Sequence, residues 1–166
     1  MKMKKIYFAG GCFWGLQKYF DQFDGVEKTI VGYANGKTAN PAYEDLERTG
    51  HAETVEVSYD ESRITLTDLL EKYFLVIDPL SFNRQGNDTG TQYRTGIYYR
   101  DPDMLTEIEN HVQKVQKKIG KPLAVEVGPL ENFYPAEEYH QKYLEKHPGG
   151  YCHISSRFFQ NSTTTD

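Results

Sequence analysis

Cysteine is scarce in this chain: two residues in 166, beside three methionines and one tryptophan. Two thiols cannot make a disulfide framework. Without CxxC pairs or closely spaced histidines they cannot make a structural zinc site either. Long apolar runs are missing too, and none approaches the ~20 residues of a membrane span. The basic start Met1-Lys2-Met3-Lys4-Lys5, with small residues ahead of Cys12, imitates a lipoprotein signal. Its apolar run is only about half a dozen residues, against the roughly 7–15 that such a signal needs. Charge of one sign is modest, −5 with the signs interspersed, so there is no basic footprint for nucleic acid. The one cationic cluster, Lys114 to Lys121, suits a helix C-terminus. These absences point to a protein of the reducing cytoplasm without nucleic-acid or membrane partners.

Aromatic residues, in contrast, are plentiful, with thirteen tyrosines and nine phenylalanines. Their spacing, with that of the aliphatic residues, predicts strands at Lys4–Ala9, Val26–Tyr33, Glu53–Tyr59, Gly96–Arg100 and Ala124–Val127. Helices are predicted over Phe13–Phe23 and after a Thr65 or Thr67 cap, carrying Leu69, Leu70, Tyr73, Phe74 and Ile77. A third follows Asp101-Pro102 and stops at Gly120, and a short one covers Pro135–Lys146. The order β-α-β-β-α-β is that of an α+β, ferredoxin-like split β-α-β sandwich with additional C-terminal helices and loops. A single domain over 1–160 is expected, and Asn161–Asp166 is too polar to pack.

Four segments combine reactive groups with glycine at the ends of elements. In Gly10-Gly11-Cys12-Phe13-Trp14-Gly15, a strand and a glycine turn set Cys12 near the first turn of a helix. Open N–H groups there favour a thiolate, and Phe13 and Trp14 supply an apolar wall. Gly50-His51-Ala52-Glu53 enters a strand; held in an aromatic pocket, Glu53 has a raised pKa and donates a proton near neutral pH. Asn87-Asp88-Thr89-Gly90-Thr91-Gln92-Tyr93-Arg94 is an unusually polar loop. Glu137-Glu138-Tyr139-His140-Gln141 leads to Gly149-Gly150-Tyr151-Cys152, where glycines make a second thiol mobile. Together these parts suggest a redox cycle of attack, protonation and resolution by a second thiol.

In these segments, and in their order, the chain resembles the A-type peptide-methionine sulfoxide reductases over nearly its whole length. The resemblance implies that Cys12 attacks the sulfoxide sulfur and that Glu53 protonates its oxygen. It implies that Tyr93 and Tyr43 hydrogen-bond that oxygen, that Phe13 and Trp14 hold the methyl group, and that Asp88 orients the pocket. Cys152 becomes the resolving thiol, the S epimer the substrate, and thioredoxin the reductant of a monomeric enzyme that repairs oxidised methionine, free or in proteins. No metal or organic cofactor is implied. Unlike many members, the chain continues with His153-Ile154-Ser155-Ser156 and has no third cysteine. Two rival readings are a cysteine hydrolase pairing Cys12 with His51 or His140, and a peptide-binding module built on Trp14 and the tyrosines.

Overall fold

A computed structural model describes residues 2–159. The tail expected at Asn161–Asp166 lies outside the described residues. The chain runs β1 (Met3–Ala9), α1 (Phe13–Asp21), β2 (Val26–Ala34), α2 (Leu46–Thr49), β3 (Ala52–Asp60) and α3 (Leu66–Val76). It continues through the short strands β4 (Arg84–Gln85) and β5 (Asp88–Thr89) to β6 (Gly96–Tyr99), α4 (Leu105–Ile119), β7 (Glu126–Pro129), β8 (Phe133–Pro135) and α5 (Tyr143–Lys146). The fold is α+β. Its main sheet is mixed, in the order β7-β6-β1-β3-β2-β8, with every neighbouring pair antiparallel except β6 and β7.

Alternation along β1 sorts the two layers of the core. Ile6 and Phe8 point to the helices, where the Phe8 ring stacks between Phe20 at 4.9 Å and Tyr73 at 4.7 Å. Tyr7 and Ala9 point the other way and pack with Ala34, Ala52, Tyr98 and Phe133. Strand β3 alternates in polarity yet is buried along its whole length. Its polar face is covered because Glu56 accepts from the Tyr7 hydroxyl at 2.8 Å and pairs with Lys5 at 3.7 Å. Thr65 begins α3 with a reciprocal capping box to Asp68, and Gly120 ends α4 in the left-handed region at φ +81°.

Several segments depart from the sequence expectation. Pro135–Lys146 is not one helix: β8 takes Pro135, a 3₁₀ turn covers Glu138–His140, and α5 begins only at Tyr143. The break has a cause. The Gln141 side chain accepts from Val31 N–H at 3.1 Å and donates to its carbonyl at 2.9 Å, extending the β2 ladder. That holds Gln141 extended and turns Lys142 left-handed at φ 56°. The polar stretch 37–50 contains a 3₁₀ turn and α2, and the loop 83–90 closes as the β4–β5 hairpin. The last predicted strand is displaced to Glu126–Pro129, where β6 offers a parallel edge.

Candidate active site

The site is assembled at the end of β1. Tyr73 donates to the Ala9 carbonyl at 2.5 Å and accepts from Gly96 N–H at 3.1 Å, so one buried phenol clamps β1 and β6 where the glycine turn begins. A Cβ at Gly10 would lie 2.8 Å from the Ile77 side chain. Gly11 takes φ +76°, a conformation that glycine adopts freely, and its N–H donates to the Tyr93 carbonyl at 3.1 Å. The turn therefore sets Cys12 at the N-cap of α1 and ties it to the loop carrying Tyr93.

Cys12 is 7% exposed. Burial pushes its thiol up, and the Glu53 charge adds to this, while the Trp14 amide opposes both. The direction runs against the expectation that the helix terminus alone favours a thiolate. A helix end supplies roughly 0.3–1 kcal/mol at an accessible position, and desolvation of a buried group outweighs it.

Glu53 is fully buried near the start of β3, in register with Tyr33 on β2. Its Oε1 accepts from the Phe13 amide at 3.1 Å, and its Oε2 has no hydrogen-bond partner among the described residues. Burial first, then the Asp88 charge, raises its pKa from 4.5 to about 8, with the Phe13 N–H opposing. Thiol and carboxyl therefore penalise each other's charge. The pocket favours one negative charge over two.

Aromatic groups close around this pair. The Phe13 ring lies 5.7 Å from Tyr33 and 5.3 Å from His140, and Trp14 stacks on Tyr143 at 3.7 Å. Trp14 donates its indole N–H to His140 Nδ1 at 3.0 Å, which requires that nitrogen to be unprotonated. Burial lowers the His140 pKa and so maintains the neutral ring. Tyr43 and Tyr93 interact through their hydroxyls, and burial followed by the Glu53 charge raises both. Asp88 influences Cys12, Glu53 and both of these tyrosines, and its Oδ2 accepts from the Tyr151 hydroxyl at 3.2 Å. Cys152 is half-buried, with its thiol directed to the Ile154 carbonyl at 3.5 Å; both cysteines are free.

The structure thus gathers Cys12, Phe13, Trp14, Tyr43, Glu53, Asp88 and Tyr93 into one pocket and brings the Cys152 segment beside it. It adds contributors that sequence reasoning missed. Tyr33 donates to Glu137 Oε1 at 2.7 Å, while Glu137 Oε2 accepts from Tyr43 N–H at 3.3 Å. Burial works against the Glu137 charge, but these donors hold its pKa below the ordinary value. Glu137 therefore fixes the loop that presents Tyr43. His140 sets the Trp14 indole. Their positions within Glu137-Glu138-Tyr139-His140-Gln141 were visible, but the partners, 104 and 126 positions away, were not.

The imidazoles proposed for a hydrolase are each engaged elsewhere through Nδ1, and their Nε2 atoms make no hydrogen bond among the described residues. His51 Nδ1 meets Thr49 Oγ1 at 2.8 Å, and His140 Nδ1 is occupied by Trp14. Among the described residues no imidazole hydrogen-bonds the Cys12 thiol. Nor does any cluster of three or more His, Cys, Asp or Glu among them form a metal centre. No helix there is long and apolar enough to cross a membrane.

The family model described as peptide methionine sulfoxide reductase matches residues 4–166. The chain belongs to the peptide methionine sulfoxide reductase family. A relative named peptide methionine sulfoxide reductase MsrA, from Clostridium perfringens, is 57% identical over 154 residues, 92% of this chain and 98% of the relative. Mxr1 from Saccharomyces cerevisiae in reduced form matches with a TM-score of 0.87 at 38% identity, covering 93% of this chain and 92% of that one. The same yeast protein in complex with Trx2 matches with a TM-score of 0.63 at 30% identity, covering 86% and 85%. As a peptide methionine sulfoxide reductase the chain is an oxidoreductase of the MsrA type, and its reaction is the reduction of methionine sulfoxide.

Proposed function

We propose that this chain reduces the S epimer of methionine sulfoxide, free or in proteins, through a sulfenic acid on Cys12. One observation carries the reading. A buried carboxyl raised to about 8 sits at the N-terminus of α1, bonded through one oxygen to the amide beside Cys12 while its other oxygen has no hydrogen-bond partner among the described residues. Nucleophile and acid thus meet at the first turn of α1, the acid reaching it from β3.

Cys12 attacks the sulfoxide sulfur as Glu53, protonated near neutral pH, donates to the oxygen. The sulfur–sulfur bond made by the attack and the original sulfur–oxygen bond both break as the oxygen passes to Cys12. Methionine sulfur gains two electrons, Cys12 sulfur loses two, and Cys12–SOH remains. The Tyr43 and Tyr93 hydroxyls hold the oxygen, with bonds that tighten as its charge grows. Phe13 and Trp14 receive the methyl group, and Asp88 orients the pocket. Because Glu53 and Cys12 resist being charged together, a protonated Glu53 eases ionisation of Cys12, which burial still opposes; the thiol proton leaves as attack proceeds and restores Glu53 once its own proton has gone to the oxygen.

Cys152 then attacks the Cys12 sulfur. The disulfide forms, the sulfur–oxygen bond breaks, and the thiol proton leaves with the oxygen as water. A thioredoxin dithiol reduces the disulfide; the yeast relative solved in complex with Trx2 supports that partner. We further read 1–160 as one monomeric domain in a reducing cytoplasm. Its four central strands, in the order β6-β1-β3-β2, support a ferredoxin-like split β-α-β arrangement.

The test is consumption of each epimer of an N-blocked methionine sulfoxide, with a dithiol as reductant. Selective loss of the S epimer is expected. Loss of neither epimer, from folded protein with Cys12 reduced, favours a binding module and refutes the assignment.

A further inference from the structure

We propose that His153 is the positioning residue of the resolving step. Its ring lodges in a cleft left open by Gly11 and Gly15 and so holds the Cys152 thiol over the helix turn that begins at Cys12. The inference rests on the reading of Cys152 as the resolving thiol.

Two glycines flank the nucleophile, and both face the same dipeptide. A Cβ on Gly11 would lie 2.8 Å from His153 Nε2 and 3.1 Å from its Cε1. A Cβ on Gly15 would lie 3.5 Å from Cε1 and Nδ1 of the same ring, and 3.0 Å from Cys152 Sγ. Gly11 answers to its backbone angle as well, but Gly15 does not. It lies inside α1, where glycine costs about 1 kcal/mol relative to alanine. The close approach of Cys152 and His153 explains that choice.

The ring is held chiefly by shape. Burial lowers its pKa, with the Asp88 charge and the Gly10 carbonyl opposing, and among the described residues neither ring nitrogen makes a well-formed hydrogen bond. The other hydrogen bonds of the segment are few, the Tyr151 hydroxyl on Asp88 and, within the segment, the Cys152 thiol on the Ile154 carbonyl at 3.5 Å; Ile154 itself is buried in the core and ends the segment that His153 seats. Such an anchor keeps Cys152 close enough to meet Cys12–SOH. Cys152 also borders a cavity of about 430 Å³ with Lys18, Leu144 and Phe159, which gives the segment room to move.

The experiment supplies one equivalent of the S epimer to the wild type, H153A, H153Q and G15A without external reductant. Methionine released reports the first step, and the paired loss of two alkylatable thiols reports disulfide closure. A burst of one methionine per enzyme is expected from all four proteins, which also controls for folding. Closure should slow roughly tenfold or more in H153A, as effective molarity falls with lost positioning. It should recover most of that loss in H153Q, which refills the cleft, and slow in G15A, where the new methyl displaces Sγ. Closure at the wild-type rate in H153A overturns the proposal, as does loss of the burst together with closure. No burst from the wild type overturns the reductase reading and this inference with it.

Discussion

Replacing Glu53 by glutamine keeps the length of the side chain and an acceptor for the Phe13 amide, but removes the titrating proton. In the folded protein that proton is held up to about pH 8, whereas an ordinary glutamate releases it near 4.5. Between these values the folded state binds a proton that the unfolded chain has lost, so wild-type stability falls as pH rises. Below 4.5 both states hold the proton; above 8 the full cost of a buried carboxylate is present. Each unit across the window is worth about 1.4 kcal/mol, which makes the whole window on the order of 5 kcal/mol. Glu53 is fully buried, so solvent screens little of this. Urea unfolding of wild type and E53Q at pH 5, 7 and 9 measures it. Relative to the wild type, the variant should gain several kcal/mol between pH 5 and 9, because glutamine does not ionise. Parallel curves would refute a proton held on Glu53. The same substitution should slow the reductase step by roughly 10²–10⁴-fold. The deficit should be largest below pH 8, where the wild-type acid is protonated, and should shrink above it.

Cys152→Ser should release one methionine per enzyme in a single turnover and then stall with Cys12 as sulfenic acid, measured by dimedone labelling. Trp14→Phe removes the donor to His140 Nδ1; KM for methionine sulfoxide should rise more than kcat falls, by steady-state kinetics. Gly32→Ala would place a Cβ 2.5 Å from the Phe133 ring and 2.6 Å from the Tyr134 carbonyl. It should cost about 1–3 kcal/mol in a denaturant melt, because β8 cannot yield without losing its ladder. Tyr73→Phe strands the Ala9 carbonyl and the Gly96 N–H; a loss of about 1–3 kcal/mol is expected in the same assay.

What could be read from sequence was local. The strand Lys4–Ala9, a helix cap at Thr65 or Thr67 and the Gly120 stop each express a backbone preference that neighbouring residues carry. Cys12 at the start of α1 was legible for the same reason. Its charge was not, since the helix terminus is local while burial comes from the whole fold. The segment Pro135–Lys146 misled because its residues suit a helix. Gln141 instead satisfies Val31 on β2, a partner 110 positions away. Tyr33 and Glu137 were hidden likewise, because their role exists only once β2 and the turn after β8 meet. The motif residues gather together because β1 ends and β3 begins at the same end of the sheet, where the loop after the β4–β5 hairpin brings Tyr93.

The most direct test of the account is to follow the oxygen. The Cys152→Ser variant is given one equivalent of ¹⁸O-labelled S-epimer substrate and quenched with NBD chloride, which captures the sulfenic acid with its oxygen in place, and the Cys12 peptide is weighed. The account predicts one methionine per enzyme and the labelled oxygen on Cys12. Methionine released with no label on Cys12 would contradict attack by that thiol.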